Sequence, residues 1–260
     1  MKIGSISGYE VRVNGISMSF LNSDSEKVVL HDISFAVASG EVLAICGLSG
    51  VGKSTLLKLI SGLSLPTAGQ VQIDSVVVNG PHPGLGFVTR DYSRSLFPWL
   101  TVARNVALPF KALNVSQEEK AAKIKQVLIS VGLEDSSHLF PWQLSGGMQQ
   151  RVAIARALVT QPRVLLLDEP FASVDAHVRL ELEDLIARLV DEHAVTTILV
   201  THDIDEAIYM ADRVITLSGS PAGIGMEFDV DLPRPREQII SRAEARFSQL
   251  RTDLYLGLRK

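Results

Sequence analysis

Through the first eighty positions the apolar residues fall in short alternating or β-branched runs, at 9–20, 28–37, 41–46 and 70–78, separated by Ser39-Gly40 and Asn79-Gly80. Alternation bounded by turn residues predicts strands. From 101 to 160 the period lengthens to that of a helix. Ser116-Gln117-Glu118-Glu119 has the form of a capping box, Ala121, Ile124, Val127, Leu128 and Val131 share one helical face, and Gly132 supplies the stop. Strands and helices alternate again with 164–168, a helix over about 178–192, and 196–200. These last strands are apolar without interruption, the pattern of a parallel sheet buried on both faces. Beyond Pro233-Arg234-Pro235, the recurrence of Ile240, Ala243, Phe247, Leu250, Leu254 and Leu258 every three or four residues predicts one amphipathic helix packed against the core.

These elements predict an α/β fold in which a mixed sheet is flanked by helices, with a small antiparallel β subdomain and an inserted α-helical subdomain. At 260 residues the chain is long enough for one large domain of this kind. The expected division is a core over 1–90 and 161–220 that includes the β subdomain, a helical subdomain over 91–160, and a C-terminal extension over 221–260.

One run turns that scaffold toward chemistry. Gly47, Leu48, Ser49, Gly50, Val51, Gly52, Lys53, Ser54 and Thr55 fit the pattern GxxxxGK[ST] between a predicted strand and the helical Leu56-Leu57-Lys58-Leu59-Ile60. Its four fixed positions meet by chance in a chain of this length about once in a hundred. Glycines let loop amides surround phosphate oxygens, and the following helix points its positive dipole end at them. Lys53 adds a point charge, and Ser54 a hydroxyl for magnesium.

Net charge is −4 without a basic tract, so charge gives no sign of a nucleic-acid surface. The single cysteine, Cys46, forms no internal disulfide and reads as a small buried hydrophobe, in keeping with a reducing cytosol. No apolar run is long enough to span a bilayer, and residues 1–20 mix Lys2, Glu10 and Arg12 with glycines instead of forming a leader.

Asp168 and Glu169 stand at the carboxyl end of a buried strand, where parallel α/β sheets place ligand groups. Asp168 is placed to hold a metal, and Glu169 to orient or deprotonate a water. His202 ends the neighbouring strand and reaches the same edge. Ser145-Gly146-Gly147 has the form of a helix N-cap with exposed amides, a second anion site that makes sense when it closes over a nucleotide held by another copy.

With these motifs in view, the chain resembles the ATP-binding-cassette ATPases from Val13 to about Leu217: the phosphate loop Gly47 to Thr55, the signature Leu144-Ser145-Gly146-Gly147-Met148-Gln149, and the acid strand ending at Glu169. The resemblance implies a P-loop NTPase core and a head-to-tail dimer of two copies sandwiching two ATP molecules with Mg²⁺. It casts Ser54 and Asp168 as metal-binding, Glu169 and His202 as catalytic, and Ser173-Val174-Asp175 as the segment facing the other subunit. Phe20 falls where such ATPases stack an aromatic ring on adenine.

Residues 91–102, Thr201 to Ala207 and Asp231 to Arg236 look like the importer branch for nitrate, sulfonates, taurine and bicarbonate. That branch implies membrane permease subunits, a solute-binding protein and a place on the cytoplasmic face of a bacterial inner membrane, with no nucleic-acid partner. The apolar Leu96-Phe97-Pro98-Trp99 suits a groove that receives a short helix from the permease. A cassette ATPase serving DNA repair or translation is the alternative, and a phosphoryl-transferring kinase would have no use for Ser145-Gly146-Gly147. One position departs from the pattern: a glutamine normally precedes Asp91-Tyr92-Ser93, and here Thr89-Arg90 stands instead. Arg90 has donors only and stays charged, so it takes no metal role and is expected to reach the γ-phosphate or an acid on the partner.

Overall fold

The computed structural model describes residues 8–22, 25–172 and 174–258. Within them one sheet runs through the molecule, built from β1 (Val11–Asn22), β2 (Ser25–Val37), β3 (Val42–Gly47), β4 (Ala68–Ile73), β5 (Val76–Val77), β6 (Leu85–Val88), β7 (Val164–Asp168), β8 (Thr196–Thr201), β9 (Arg213–Gly219) and β10 (Ala222–Asp229). Their order is β5-β4-β1-β2-β10-β9-β3-β8-β7-β6. The stretch from β9 to β6 is parallel throughout. The other half, from β5 to β2, is antiparallel, and β10 joins the halves by pairing antiparallel with β9 and parallel with β2 at Ala222 and Leu30.

Every residue of β3, β7 and β8 is buried. Their alternation explains why the runs are mostly apolar, with threonines at the ends of β8 and Asp168 at the end of β7. Val42, Ala44 and Cys46 of β3 pack into a helical layer with Leu165, Leu167 and Leu199, while Leu43 and Ile45 pack with Leu166, Ile198 and Val200 on the opposite face. A strand covered on both sides has no position where a polar residue reaches water. The second face is closed by α1 (Lys53–Ile60), through Leu56, Leu57, Leu59 and Ile60, and by the β1–β2 hairpin.

The helical layer comprises α2 (Tyr92–Ser95), α3 (Val102–Val106), α4 (Gln117–Ser130), α5 (Gly146–Leu158), α6 (Ala176–His193), α7 (Ile204–Met210), α8 (Gln238–Ala243) and α9 (Ala245–Gly257). Ser116 caps α4 by accepting the Glu119 N–H at 3.1 Å, while the Glu119 carboxylate pairs with Lys123 at 2.9 Å. Val127, Leu128 and Val131 are buried but Ala121 is exposed, so only the C-terminal half of the expected face packs.

Two further expectations are corrected. The run 70–78 is not one strand: Asp74 and Ser75, at φ +49° and +67°, turn the chain between β4 and β5. Two consecutive positive φ values are usually signalled by Asn-Gly or Asp-Gly, and Asp-Ser conceals them. The C-terminal helix is also two, because Glu244 is extended at ψ 139° between α8 and α9. Phe247, Leu250 and Leu254 of α9 are buried in the core, whereas Ile240 of α8 is 59% exposed.

Candidate active site

The carboxyl ends of β3, β7 and β8 lie side by side, and each delivers part of the site. From β3 the chain enters the glycine loop, where Gly52 adopts φ 116° before α1 begins. A Cβ there would lie 2.8 Å from Leu30 Cδ2, so glycine is required both by the backbone and by the approach of β2. The buried Lys53 folds back over the loop, donating from Nζ to the carbonyls of Gly47 at 2.8 Å and Leu48 at 3.0 Å. Burial lowers its pKa, and the nearby Glu169 carboxylate opposes that shift.

Ser54 Oγ donates to Asp168 Oδ1 at 2.9 Å. Burial raises the Asp168 pKa, with that hydrogen bond acting the other way. Glu169 is 6% exposed and sits at φ +44°, a strained conformation for a side-chain-bearing residue that its N–H holds by donating to the Val200 carbonyl at 2.8 Å. Two cations and an imidazole ring its carboxylate: Lys53 Nζ is 3.8 Å from Oε1, while Arg90 at 3.2 Å and His202 Nδ1 at 3.4 Å face Oε2. Oε2 is buried with no hydrogen-bond partner among the described residues. Arg90, expected to reach a phosphate or a partner's acid, thus pairs with a carboxylate of its own chain. Cys46, just below the loop, is fully buried, and burial pushes its thiol up to about 12, which rules it out as a nucleophile at neutral pH.

Lys53, Ser54, Asp168, Glu169 and His202 are therefore brought together, and Ser145, Gly146, Gly147, Asp175 and Phe20 are placed elsewhere. Ser145 caps α5, its hydroxyl accepting the Met148 N–H at 3.3 Å, and both Ser145 and Gly146 are exposed. A Cβ on Gly147 would stand 2.6 Å from Val178 Cγ1, so the helix start lies close against α6. Among the described residues no hydrogen bond or ion pair links Ser145–Gly147 to the phosphate loop. Asp175 caps α6 by accepting the N–H groups of His177 and Val178, each at 3.1 Å. Ser173, from the same expected segment, lies outside the described residues. Phe20 stands toward the end of β1 opposite Lys27, 45% exposed.

The stretch 96–99 leaves part of its apolar surface exposed. Leu96 is buried, Trp99 is 68% exposed, and the Phe97 and Trp99 rings stand 5.2 Å apart. The buried Asn105 holds the loop through Phe97 N–H at 2.8 Å and the carbonyls of Phe97, Leu100 and Thr101. Sequence reasoning missed Gln150, which is fully buried on α5 and donates from Nε2 to the Pro170 carbonyl at 2.6 Å, tying the signature helix to the residue after Glu169. A glutamine among the buried apolar positions of a helix was the available signal.

The donor set suits a hard cation that takes few protein ligands. Ser54 Oγ and Asp168 present adjacent oxygens, and among the described residues no group of three or more His, Cys, Asp or Glu forms a protein-only cage. Magnesium keeps most of its shell for water and substrate phosphates, so a hydroxyl and one carboxylate beside a phosphate loop fit it. Among the described residues no helix is long and apolar enough to cross a membrane.

Comparison with known proteins agrees with this geometry. The profile of the family described as ABC transporter matches residues 30–172. The aliphatic sulfonates import ATP-binding protein SsuB 1 of Xanthomonas axonopodis pv. citri (strain 306) is 47% identical over 231 residues, covering 88% of this chain and 90% of that protein. The nitrate import ATP-binding protein NrtD of Synechococcus elongatus is 42% identical over 229 residues, covering 87% of this chain and 83% of the relative. Among solved structures, the dimeric post-hydrolysis state of the ATP-binding cassette MJ0796 bound to ADP and Pi superimposes with a TM-score of 0.75 at 32% identity, over 85% of this chain and 98% of that one.

Proposed function

The chain belongs to the ABC transporter family, and from that premise we propose how its residues cleave ATP on behalf of a separate membrane permease. It is an importer's ATP-hydrolysing subunit. The relatives are import proteins by name, which leaves the repair or translation reading without support. Within the nitrate and sulfonate branch, the solute is a small anion or organic solute of the nitrate, sulfonate or taurine type, chosen outside this chain. Two copies work head to tail on the cytoplasmic face of a bacterial inner membrane, with two permease subunits that receive solute from a binding protein. The core over 1–90 and 161–220 holds nucleotide, 91–160 carries the signature, and 221–260 packs behind it.

In this reading the amides from Gly47 to Thr55 cradle the phosphates, and Phe20 stacks on the adenine. Lys53 exchanges the Gly47 and Leu48 carbonyls for phosphate oxygens. Ser54 and Asp168 hold Mg²⁺, which supplies positive charge against the phosphates when bound. Glu169 accepts the proton of a water as that water's oxygen bonds to the γ-phosphorus and the bond to the ADP oxygen breaks. His202 donates to the γ-phosphate, and the partner's copy of the Ser145–Gly147 helix start covers it from the other side. Asp175 faces the subunit boundary, and Phe97 and Trp99 meet the permease.

The observation that carries this is the meeting of Lys53, His202 and a sealed Glu169 within 4.0 Å at one sheet edge. Replacing Glu169 by Gln keeps its shape and removes the proton acceptor. Glu169→Gln is expected to bind ATP as the parent does, to lose at least about a hundredfold in turnover, and to accumulate as an ATP-bound dimer in light scattering. Turnover at the parental rate would refute Glu169 as the base.

A further inference from the structure

We propose that Arg90 is a positioning residue that latches Glu169 in the nucleotide-free protomer through an ion pair with the carboxylate that takes up the proton of the attacking water. The proposal rests on Glu169 being the base and goes beyond it by assigning a brake to a residue of this chain.

The latch follows from strand register. Val88, the last residue of β6, pairs with Leu167 of β7, and two residues beyond that pair the chain reaches Arg90 past the end of β6 and Glu169 past the end of β7. Its guanidinium then lies 3.2 Å from Oε2, the oxygen that His202 also faces at 3.4 Å, while Lys53 faces Oε1. The nearest acid in the loop, Asp91, is taken by Arg94 at 3.1 Å. Arg90 thereby adds a second cation, beside Lys53, to a carboxylate that is otherwise closed from water.

The three groups around the carboxylate differ in what they can do next. Lys53 and His202 lie where phosphate oxygens give them new partners. Arg90 is 58% exposed, and its alternative is solvent. A guanidinium only donates and does not deprotonate, so it neither ligands magnesium nor relays the proton. Arg90 makes an ion pair with Oε2 and no hydrogen bond, so it acts through its charge: when the carboxylate takes the proton of the water, with the water oxygen bonding to the γ-phosphorus and ADP leaving, that attraction is given up. An interaction made in the ground state and given up in the transition state slows the chemical step. Because Arg90 is half in solvent, the brake is weak and easily released.

The test is steady-state ATPase of the full chain without membrane subunits. Arg90→Gln is expected to raise kcat about two- to fivefold with KM for ATP unchanged, and Arg90→Lys, which keeps the charge, to stay near the parental rate. Arg90→Gln turning over at or below the parental rate, while Glu169→Gln is inactive, overturns the latch and leaves the base assignment standing. A fast rate that survives in the Arg90→Gln/Glu169→Gln double variant overturns both. Independently of activity, the melting shifts of the two single variants and the double variant in nucleotide-free protein are expected to depart from additivity by about 1–2 °C; additive shifts also overturn the latch.

Discussion

The two anion-binding elements of this chain differ in how they stand in a single protomer. At the phosphate loop the charges already consume one another: Lys53 rests on two carbonyls and faces Glu169, Ser54 donates to Asp168, and Arg90 and His202 close over Glu169. At the start of α5 the polar groups face outward, with Ser145 and Gly146 exposed and one helix N–H taken by the Ser145 hydroxyl. Any helix start leaves N–H groups without intrahelical partners. A quenched half and an open half on one chain, with no hydrogen bond or ion pair between Ser145–Gly147 and the phosphate loop among the described residues, fit the proposed sharing of a nucleotide between two copies. In that arrangement ATP separates the charges on one protomer and fills the donors of the other.

The comparison breaks most directly at Lys53. Lys53→Ala removes the cation and leaves Glu169 with fewer counter-charges, so ATPase is expected to fall by about a thousandfold or more. Nucleotide affinity should fall with it, while circular dichroism stays native. Undiminished nucleotide binding would mean that phosphate sits elsewhere.

Ser145→Asp separates the open half from its structural duty. Aspartate caps a helix about as well as serine and suits the positive end of the dipole, so melting is expected to stay within about 2 °C. A carboxylate turned toward the partner's nucleotide is nevertheless repelled, and ATPase should drop about a hundredfold. Binding of nucleotide to the isolated protomer should not change. Parallel loss of that binding would merge the two halves into one pocket and end the comparison.

What was legible beforehand divides along the same line between local and paired features. The glycine loop, the acids after β7 and the cap at Ser145 depend on spacing within one segment, and spacing is visible in the chain. The buried parallel strands were equally plain, because covering both faces favours apolar residues along most of their length, leaving threonines at the ends of β8 and Asp168 at the end of β7. The Arg90–Glu169 pair was not readable: the missing glutamine marked residue 90 as unusual, but its partner follows from the register of β6 on β7. Gln150 directly follows the signature run, and nothing local indicates that its amide meets the Pro170 carbonyl. The turn at Asp74-Ser75 and the break at Glu244 escaped for a different reason, as neither contains the glycine or proline that normally punctuates a chain.

Glu206 sharpens the first half of the comparison with the smallest effect. It lies on α7, just past His202, and is nearly fully buried; Oε2 accepts the Thr201 hydroxyl at 2.5 Å, while its closest cation, Arg179, is 3.9 Å away and nearer to Asp203 at 3.1 Å. Unlike Glu169, this acid is not matched by cations. Burial, with Asp203 and Glu183 adding like charge, raises its pKa from 4.5 to about 7. The folded chain therefore holds a proton that the unfolded chain has released between those values. Its contribution to stability is complete below about pH 4.5 and is lost as pH rises through 7. Glu206→Gln keeps an oxygen for Thr201 and carries no charge, so it is expected to remove this part of the slope and to stabilise the protein at pH 8 by about 1–2 kcal/mol. Melting curves of the two proteins from pH 5 to pH 8 should converge at the acid end and separate at the alkaline end. Parallel curves would mean that Thr201 and Arg179 are enough to hold the charge, and that this sheet edge tolerates an ionised acid without the cations gathered at Glu169.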